Sequence, residues 1–287
     1  MNKGGVGKLY EIVAKKVLAP TIVQMEVAAP EVAGRAKAGQ FIILRLDEVG
    51  ERIPLTIADF NRDKGTISTI FQEVGYSTTR LGNLNEGDQL QDFVGPLGQP
   101  SEIENYGKVV CVGGGVGVAP IYPIARSLKE AGNEVISIIG ARTKDLLILE
   151  EEMRAVSSRL LVTTDDGSYG RHGFVTQVLE EILREDEVKV VWGIGPVVMM
   201  RAVANTTRPF KVRTVVSMNP IMVDGTGMCG ACRVQVGDET KFACVDGPEF
   251  DGHLVDWELA LARLSFYKDE EKRAMARLNC GGGCGAC

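Results

Sequence analysis

The stretch VDGTGMCGACRVQVGDETKFAC, Val223 to Cys244, carries three cysteines and an aspartate at a spacing that suits iron. Four residues separate Asp224 from Cys229, two separate Cys229 from Cys232, and eleven separate Cys232 from Cys244. This is the Cys-x4-Cys-x2-Cys…Cys spacing of plant-type [2Fe–2S] sites with the first thiolate replaced by a carboxylate, whose oxygen can also ligate iron. Glycines at 225, 227 and 230 keep side chains away from the sulfides and leave N–H groups to bond them. Spacing alone leaves two rivals open. Asp224 could be the first half of an Asp-Gly turn, with Cys280 as the fourth ligand, or the cysteines could hold structural zinc.

A second thiol group closes the chain, with Cys280, Cys284 and Cys287 in NCGGGCGAC. It reads either as a second metal centre with one position open or as an unstructured thiol-rich tail. The seventh cysteine, Cys111 in VVCVGG, reads as a small buried hydrophobe. Near the start, NKGGVGK imitates a phosphate-binding loop, but no strand precedes it and Leu9 stands where Ser or Thr would hold magnesium.

Phosphate chemistry is better placed elsewhere. VVCVGGGVGVAPI, Val109 to Ile121, is a strand, a turn with Gly113, Gly114, Gly115 and Gly117, and a helix start at Ala119 and Pro120. Such a turn lets backbone N–H groups approach a pyrophosphate at the positive end of the helix. WGIGPVVMM repeats the strand-to-helix turn with Gly195 and Pro196, and TTDDGSYGRHG ends another strand with Asp166 in an acidic pair suited to ribose hydroxyls. In the first third of the chain, RIPLTIAD sets Arg52 beside Pro54, where a guanidinium could clamp a phosphate. VGYSTTRL adds a small-residue turn with Gly75, Ser77 and Thr78.

These residues need a frame. From Leu9 to about Gly98 the chain reads as short strands bounded by turns, which argues for an antiparallel barrel. From Lys108 apolar strands alternate with helical periods at 118–131, 146–156, 174–184 and 197–204, the pattern of a parallel sheet covered on both faces. The fold class is therefore α/β plus all-β. The expected divisions are a barrel over 1–104, an α/β domain over 105–218, a cluster segment over 219–254, and a docked amphipathic helix with the Cys-rich tail over 255–287. The formal charge of −6 gives no basic footprint for nucleic acid, and two histidines are too few for a His-based metal site. No signal core and no membrane-length apolar run is present, so a cytoplasmic location is expected.

Taken in order, the Arg-x-Pro-Leu-Thr strand, the Gly-x-Ser-Thr turn, the glycine-rich turn and the Gly-Pro turn resemble the ferredoxin reductase superfamily over nearly the whole chain. The cluster segment narrows the resemblance to electron-transfer subunits similar to that of dihydroorotate dehydrogenase. GARTKDLLILEEEM, TTDDGSYGRHGFVT and MVDGTGMCGACRV together look most like the small subunits of NADH-dependent reduced ferredoxin:NADP oxidoreductases, also called sulfide dehydrogenase β-type subunits.

The resemblance implies FAD bound by Arg52, Pro54, Leu55, Thr56, Ile70, Ser77 and Thr78. It implies NAD(H) bound by the four glycines of the first turn with Ala119, Pro120, Arg142, Asp166, Gly195 and Pro196. It selects Asp224 with Cys229, Cys232 and Cys244 as ligands of a [2Fe–2S] cluster, and implies a larger flavin/iron–sulfur subunit as partner in a hetero-oligomer. No residue is required as acid, base or nucleophile. The alternatives are an electron-transfer subunit of dihydroorotate dehydrogenase and a zinc-stabilised nicotinamide-binding regulator. Arg142 and Lys144 would welcome a 2′-phosphate, whereas Asp145 and Glu150 to Glu152 argue against one.

Overall fold

The structure is a computed structural model that describes residues 9–279. The Cys280, Cys284 and Cys287 group and the NKGGVGK segment lie outside the described residues.

The first half forms a seven-stranded sheet of β1 (Tyr10–Ala19), β2 (Ile22–Ala28), β3 (Phe41–Arg45), β4 (Ile53–Asn61), β5 (Thr66–Gln72), β6 (Gln89–Leu90) and β7 (Asp92–Leu97). Short helices α1 (Pro30–Ala33) and α2 (Tyr76–Gly82) interrupt it. The order is β6-β1-β2-β5-β4-β3-β7, with antiparallel pairing throughout. Its two edge strands are separated in sequence only by Gln91, so the edges must come together and the sheet curls into a barrel. Ile12, Val23, Ile42, Leu44, Ile57, Ile67, Phe71 and Phe93 fill the interior. Helix α2 is absent from the sequence reading, because YSTTRLG has weak helix formers and spans only two turns.

The second half is a parallel sheet of β8 (Lys108–Gly114), β9 (Glu134–Ala141), β10 (Arg159–Thr164), β11 (Arg171–His172), β12 (Val190–Ile194) and β13 (Arg213–Ser217). Helices α3 (Val118–Glu130), α4 (Glu150–Val156), α5 (Val175–Glu185) and α6 (Val197–Thr207) connect the strands. Alternation along β8 explains the two covered faces: Val109 and Cys111 pack with α3 and α4, and Val110 and Val112 pack with α5 and α6. The strand order β11-β10-β9-β8-β12-β13 reverses between β8 and β12, and both glycine turns leave the sheet at that crevice.

The cluster segment contributes a hairpin, β14 (Arg233–Val236) with β15 (Glu239–Phe242), and then β16 (Glu249–Asp251). Strand β16 adds antiparallel to the β13 edge, so the segment ends inside the nicotinamide-domain sheet. One core cluster joins Phe41 and Ile43 of the barrel, Met200 and Val216 of the α/β domain, and Cys232, Ala243 and Cys244 of the segment.

The expected single C-terminal helix is two, α7 (Trp257–Arg263) and α8 (Lys268–Asn279). Trp257 anchors α7 in the shared core, while the charge-rich stretch Lys268 to Arg273 of α8 is exposed. The apolar spacing that suggested one helix spans the break at Leu264 to Tyr267.

Candidate functional site

The segment from Met218 to Cys232 has no helix or strand, so side-chain and main-chain contacts must order it. Gly225 has a left-handed φ of +79°, and a Cβ there would stand 2.5 Å from Ile43 Cδ1 and 2.8 Å from Leu97 Cδ1. Only glycine allows this loop to lie so close on the barrel. The loop then turns its amides onto its own Asp224 side chain. Those of Thr226, Met228 and Cys229 donate to the Asp224 carboxylate at 3.3, 3.0 and 3.1 Å, and the Thr226 hydroxyl donates at 3.1 Å.

The four expected ligands sit as two pairs. Cys229 Sγ–H donates to Asp224 Oδ1 at 3.2 Å, and Cys232 Sγ lies 3.2 Å from Cys244 Sγ. Cys232 and Cys244 are buried, while Cys229 is exposed. Among the described residues no three of His, Cys, Asp or Glu converge as a single ion would require. A two-iron cluster needs two ligands on each iron, so paired donors fit it and a lone tetrahedral zinc is the poorer match.

The electrostatics of the two pairs differ. Burial works against a charge on Asp224, but donation from Cys229 and from Thr226 and Met228 outweighs it and holds the carboxyl down at about 2. Burial pushes the Cys244 thiol up to about 12, with the neighbouring Cys232 adding to the shift. In the metal-free chain this thiol holds its proton, which metal binding must displace.

At the crevice, the end of β8 carries Gly113 and Gly114, and Gly115 to Gly117 form a 3-10 turn into α3. Gly115 has φ +55° and no atom within 4 Å of a would-be Cβ, so the turn leaves an open cradle. The two turns touch: a Cβ at Gly117 would fall 2.3 Å from Ile194 O, and one at Gly195 would fall 3.1 Å from Gly114 O. The open turn at a helix start is the geometry that receives a dinucleotide pyrophosphate.

Ala119 and Pro120 are buried in the first turn of α3, and Pro196 is exposed before α6. Arg142 and Asp166 follow β9 and β10 at the same end of the sheet, linked by the Asp166 amide donating to Arg142 O at 3.2 Å. Asp166 accepts from the Ser168 hydroxyl and amide at 2.7 and 3.0 Å, which lowers its carboxyl below the usual range.

On the barrel, Leu55 packs against the interior, whereas Ile70 belongs to the core shared with the α/β domain. Pro54 and Thr56 are half-buried. The Ser77 hydroxyl donates to Glu51 at 2.6 Å, and Thr78 Oγ1 caps α2 by accepting from the Gly75 amide at 3.0 Å. The nearest atom to a Cβ at Gly75 is 4.0 Å away, which leaves room beside that turn. Arg52 is directed to the cluster loop: its Nε–H donates to Val223 O at 2.9 Å and its Nη2–H to Asp224 O at 3.4 Å.

Two features gave no usable signal in sequence. Glu249 bridges the modules, accepting from the Ser101 hydroxyl and, at 3.4 Å, from Trp192 Nε1. An apolar cavity of about 280 Å³ lies behind the cluster hairpin, lined among others by Met218, Ile221, Leu259 and Phe266. Val197, the residue after the Gly195–Pro196 turn, borders it, and no residue of the first glycine turn does.

Residues 219–256 match the iron–sulfur cluster binding domain of dihydroorotate dehydrogenase B, and residues 111–205 match the oxidoreductase NAD-binding domain. The chain is similar to a Thermotoga maritima protein named as a homolog of the dihydroorotate dehydrogenase B electron transfer subunit. Identity is 51% over 94% of this chain and 95% of the relative. The electron transfer subunit of that enzyme from Streptococcus pneumoniae is 32% identical over 84% of this chain and 94% of the relative. A chain of the solved NADH-dependent reduced ferredoxin-NADP oxidoreductase superposes with a TM-score of 0.91 at 49% identity, covering 96% of this chain and 99% of that one.

With a nicotinamide-binding domain, an iron–sulfur binding segment and end-to-end similarity to these relatives, the chain belongs to the dihydroorotate dehydrogenase B electron-transfer subunit family of oxidoreductases.

Proposed function

We propose that this chain is the NAD(H)-linked subunit of an electron-bifurcating ferredoxin:NADP oxidoreductase and works with a larger flavin/iron–sulfur partner subunit. The observation that carries the reading is the paired arrangement of Asp224 with Cys229 and Cys232 with Cys244 on a loop packed against the barrel. The 49% identity to the ferredoxin-NADP oxidoreductase chain, over 99% of that chain, against 32% to the Streptococcus subunit, favours it over a dihydroorotate dehydrogenase role.

Bound FAD would convert the two-electron hydride chemistry of NAD(H) into single-electron exchange with a [2Fe–2S] cluster. The chain's own residues position and tune. Gly113, Gly114, Gly115 and Gly117, with Ala119, Pro120, Gly195 and Pro196, seat the nicotinamide nucleotide in the crevice. Asp166 and Arg142 border its ribose. Pro54, Leu55, Thr56 and Ile70 would border the flavin, Leu55 through its main chain, and Ser77 and Thr78 would border its phosphates. Asp224, Cys229, Cys232 and Cys244 would hold the cluster, the first two as one ligand pair and the last two as the other.

A cytoplasmic location agrees with the free thiols of Cys111, Cys229, Cys232 and Cys244. Among the described residues no helix is long and apolar enough to cross a membrane.

Anaerobic purification with iron, flavin and EPR analysis tests the reading. About one FAD and two irons per chain are expected by this assignment, with NADH bleaching the flavin much faster than NADPH. A colourless, zinc-loaded chain would overturn it, and equal rates with both nucleotides would overturn the NAD assignment.

A further inference from the structure

The amides of the cluster loop at Thr226, Met228 and Cys229 converge on the Asp224 carboxylate, while several of its carbonyls take side-chain donors from outside the loop. Arginines from three separate elements supply them. Arg52, just before β4, takes Val223 O and Asp224 O; Arg233 at the start of β14 takes Gly230 O at 2.9 Å; Arg263 at the end of α7 takes Ala231 O at 2.9 Å. Of these, Arg52 alone bonds the Asp224–Cys229 end of the loop and alone comes from the barrel.

The alternation of β4 explains this reach. Ile53, Leu55 and Ile57 belong to the barrel core, so Arg52 falls on the opposite row, at the strand end nearest the loop. Its guanidinium fork spans two successive carbonyls, a geometry that one ammonium cannot reproduce. Among the described residues no carboxylate is ion-paired with it. It also borders the open hollow formed with Val223, Asp224, Thr226, Met228 and Cys229, which leaves its charge beside the outer ligand pair. Gly225 packs on Ile43 and Leu97 one residue further on, so the loop is fixed by polar contact and by packing on consecutive residues.

We infer that Arg52 is a positioning residue of the electron path: it holds the Asp224–Cys229 end of the cluster loop to the flavin barrel and sets a fixed positive charge beside it. The inference rests on the cluster assignment above, and it departs from the sequence expectation that Arg52 clamps the FAD pyrophosphate. A positive charge close to a cluster favours the form that carries the extra electron, so it raises the midpoint potential.

The test compares Arg52→Gln and Arg52→Lys with the wild-type chain, each purified anaerobically. FAD content, EPR-monitored redox titration and amide hydrogen exchange of residues 222–229 are measured in all three. Both variants are expected to keep FAD at the wild-type ratio and to exchange faster over 222–229. The midpoint potential is expected to fall in Arg52→Gln and to fall less in Arg52→Lys, where the charge remains but the fork is lost. If Arg52→Gln fails to fold, the lysine variant carries the comparison. Loss of FAD with wild-type exchange and an unshifted potential overturns the inference and returns Arg52 to the flavin. A wild-type chain without a cluster overturns the functional reading instead, and exchange that still depends on Arg52 then supports the loop joint on its own.

Discussion

Gly117→Ala probes the contact between the two glycine turns. A Cβ at Gly117 would lie 2.3 Å from Ile194 O and 2.7 Å from Gly195 Cα. Non-bonded carbon contacts settle near 3.5 Å or more, so the start of α3 and the end of β12 would have to separate by roughly 1 Å. Neither can give readily, because β8 and β12 are paired from Val109 and Val190 to Gly113 and Ile194. Overpacking costs about 1–3 kcal/mol, and a clash between two stretches of main chain falls in the upper half of that range. Gly115→Ala is the contrast. With nothing within 4 Å, it bears only the left-handed backbone penalty of about 1–2 kcal/mol. Its methyl, however, enters the space assigned to the nucleotide. Urea unfolding and anaerobic NADH titration by flavin bleaching should therefore separate the two. Gly117→Ala loses about 2–3 kcal/mol of stability. Gly115→Ala loses less, yet weakens NADH about tenfold, equivalent to about 1.4 kcal/mol. A Gly117→Ala chain as stable as wild type would refute the contact, and undiminished NADH affinity in Gly115→Ala would refute the cradle.

Two further outcomes are expected. Asp224→Cys keeps an assembled cluster with altered EPR g-values, and Asp224→Ala loses iron; spectra that superimpose on wild type, with iron lost in Cys280→Ser instead, would make Asp224 a turn residue. Glu249 is the pH test. Burial raises its carboxyl above the usual range, against donation from Ser101 and Trp192. Its folded value exceeds its unfolded one, so the stability it contributes is present at low pH and lost as pH rises through the folded value. Glu249→Gln removes that loss. Its stability advantage over wild type, read from urea midpoints, should grow as pH rises above the ordinary carboxylate pKa of about 4.3, and a flat or shrinking difference would contradict the burial described.

Much of this fold is legible in sequence where the signal is local. The barrel strands are set off by turn residues, and the α/β half alternates apolar runs with helical periods. The glycine turns and the 224–244 spacing point to nucleotide and metal chemistry by residue type, although the spacing by itself leaves the fourth ligand and the metal open. What stays hidden depends on partners remote in sequence. Arg52 reads equally well as a phosphate clamp, because the direction of its side chain is set by carbonyls 171 and 172 positions away. Strand β16 is only three residues, two of them acidic, and forms because the β13 edge is waiting for it. Leu261, Leu264, Met275 and Leu278 keep a helical spacing across the break between α7 and α8, so the pattern merges two elements into one.

Strand β16 also decides what kind of conductor this molecule is. Because the cluster segment finishes as a strand of the nicotinamide-domain sheet, and its ligand loop is pressed against the barrel, the segment has a foot in each domain. It cannot swing out to meet an acceptor without tearing ladder hydrogen bonds on one side and opening the shared core on the other. Electron transfer falls off steeply with distance, and here the spacing between donor and acceptor is built in like the gap between fixed contacts. The segment cannot travel, so an acceptor must come to the subunit.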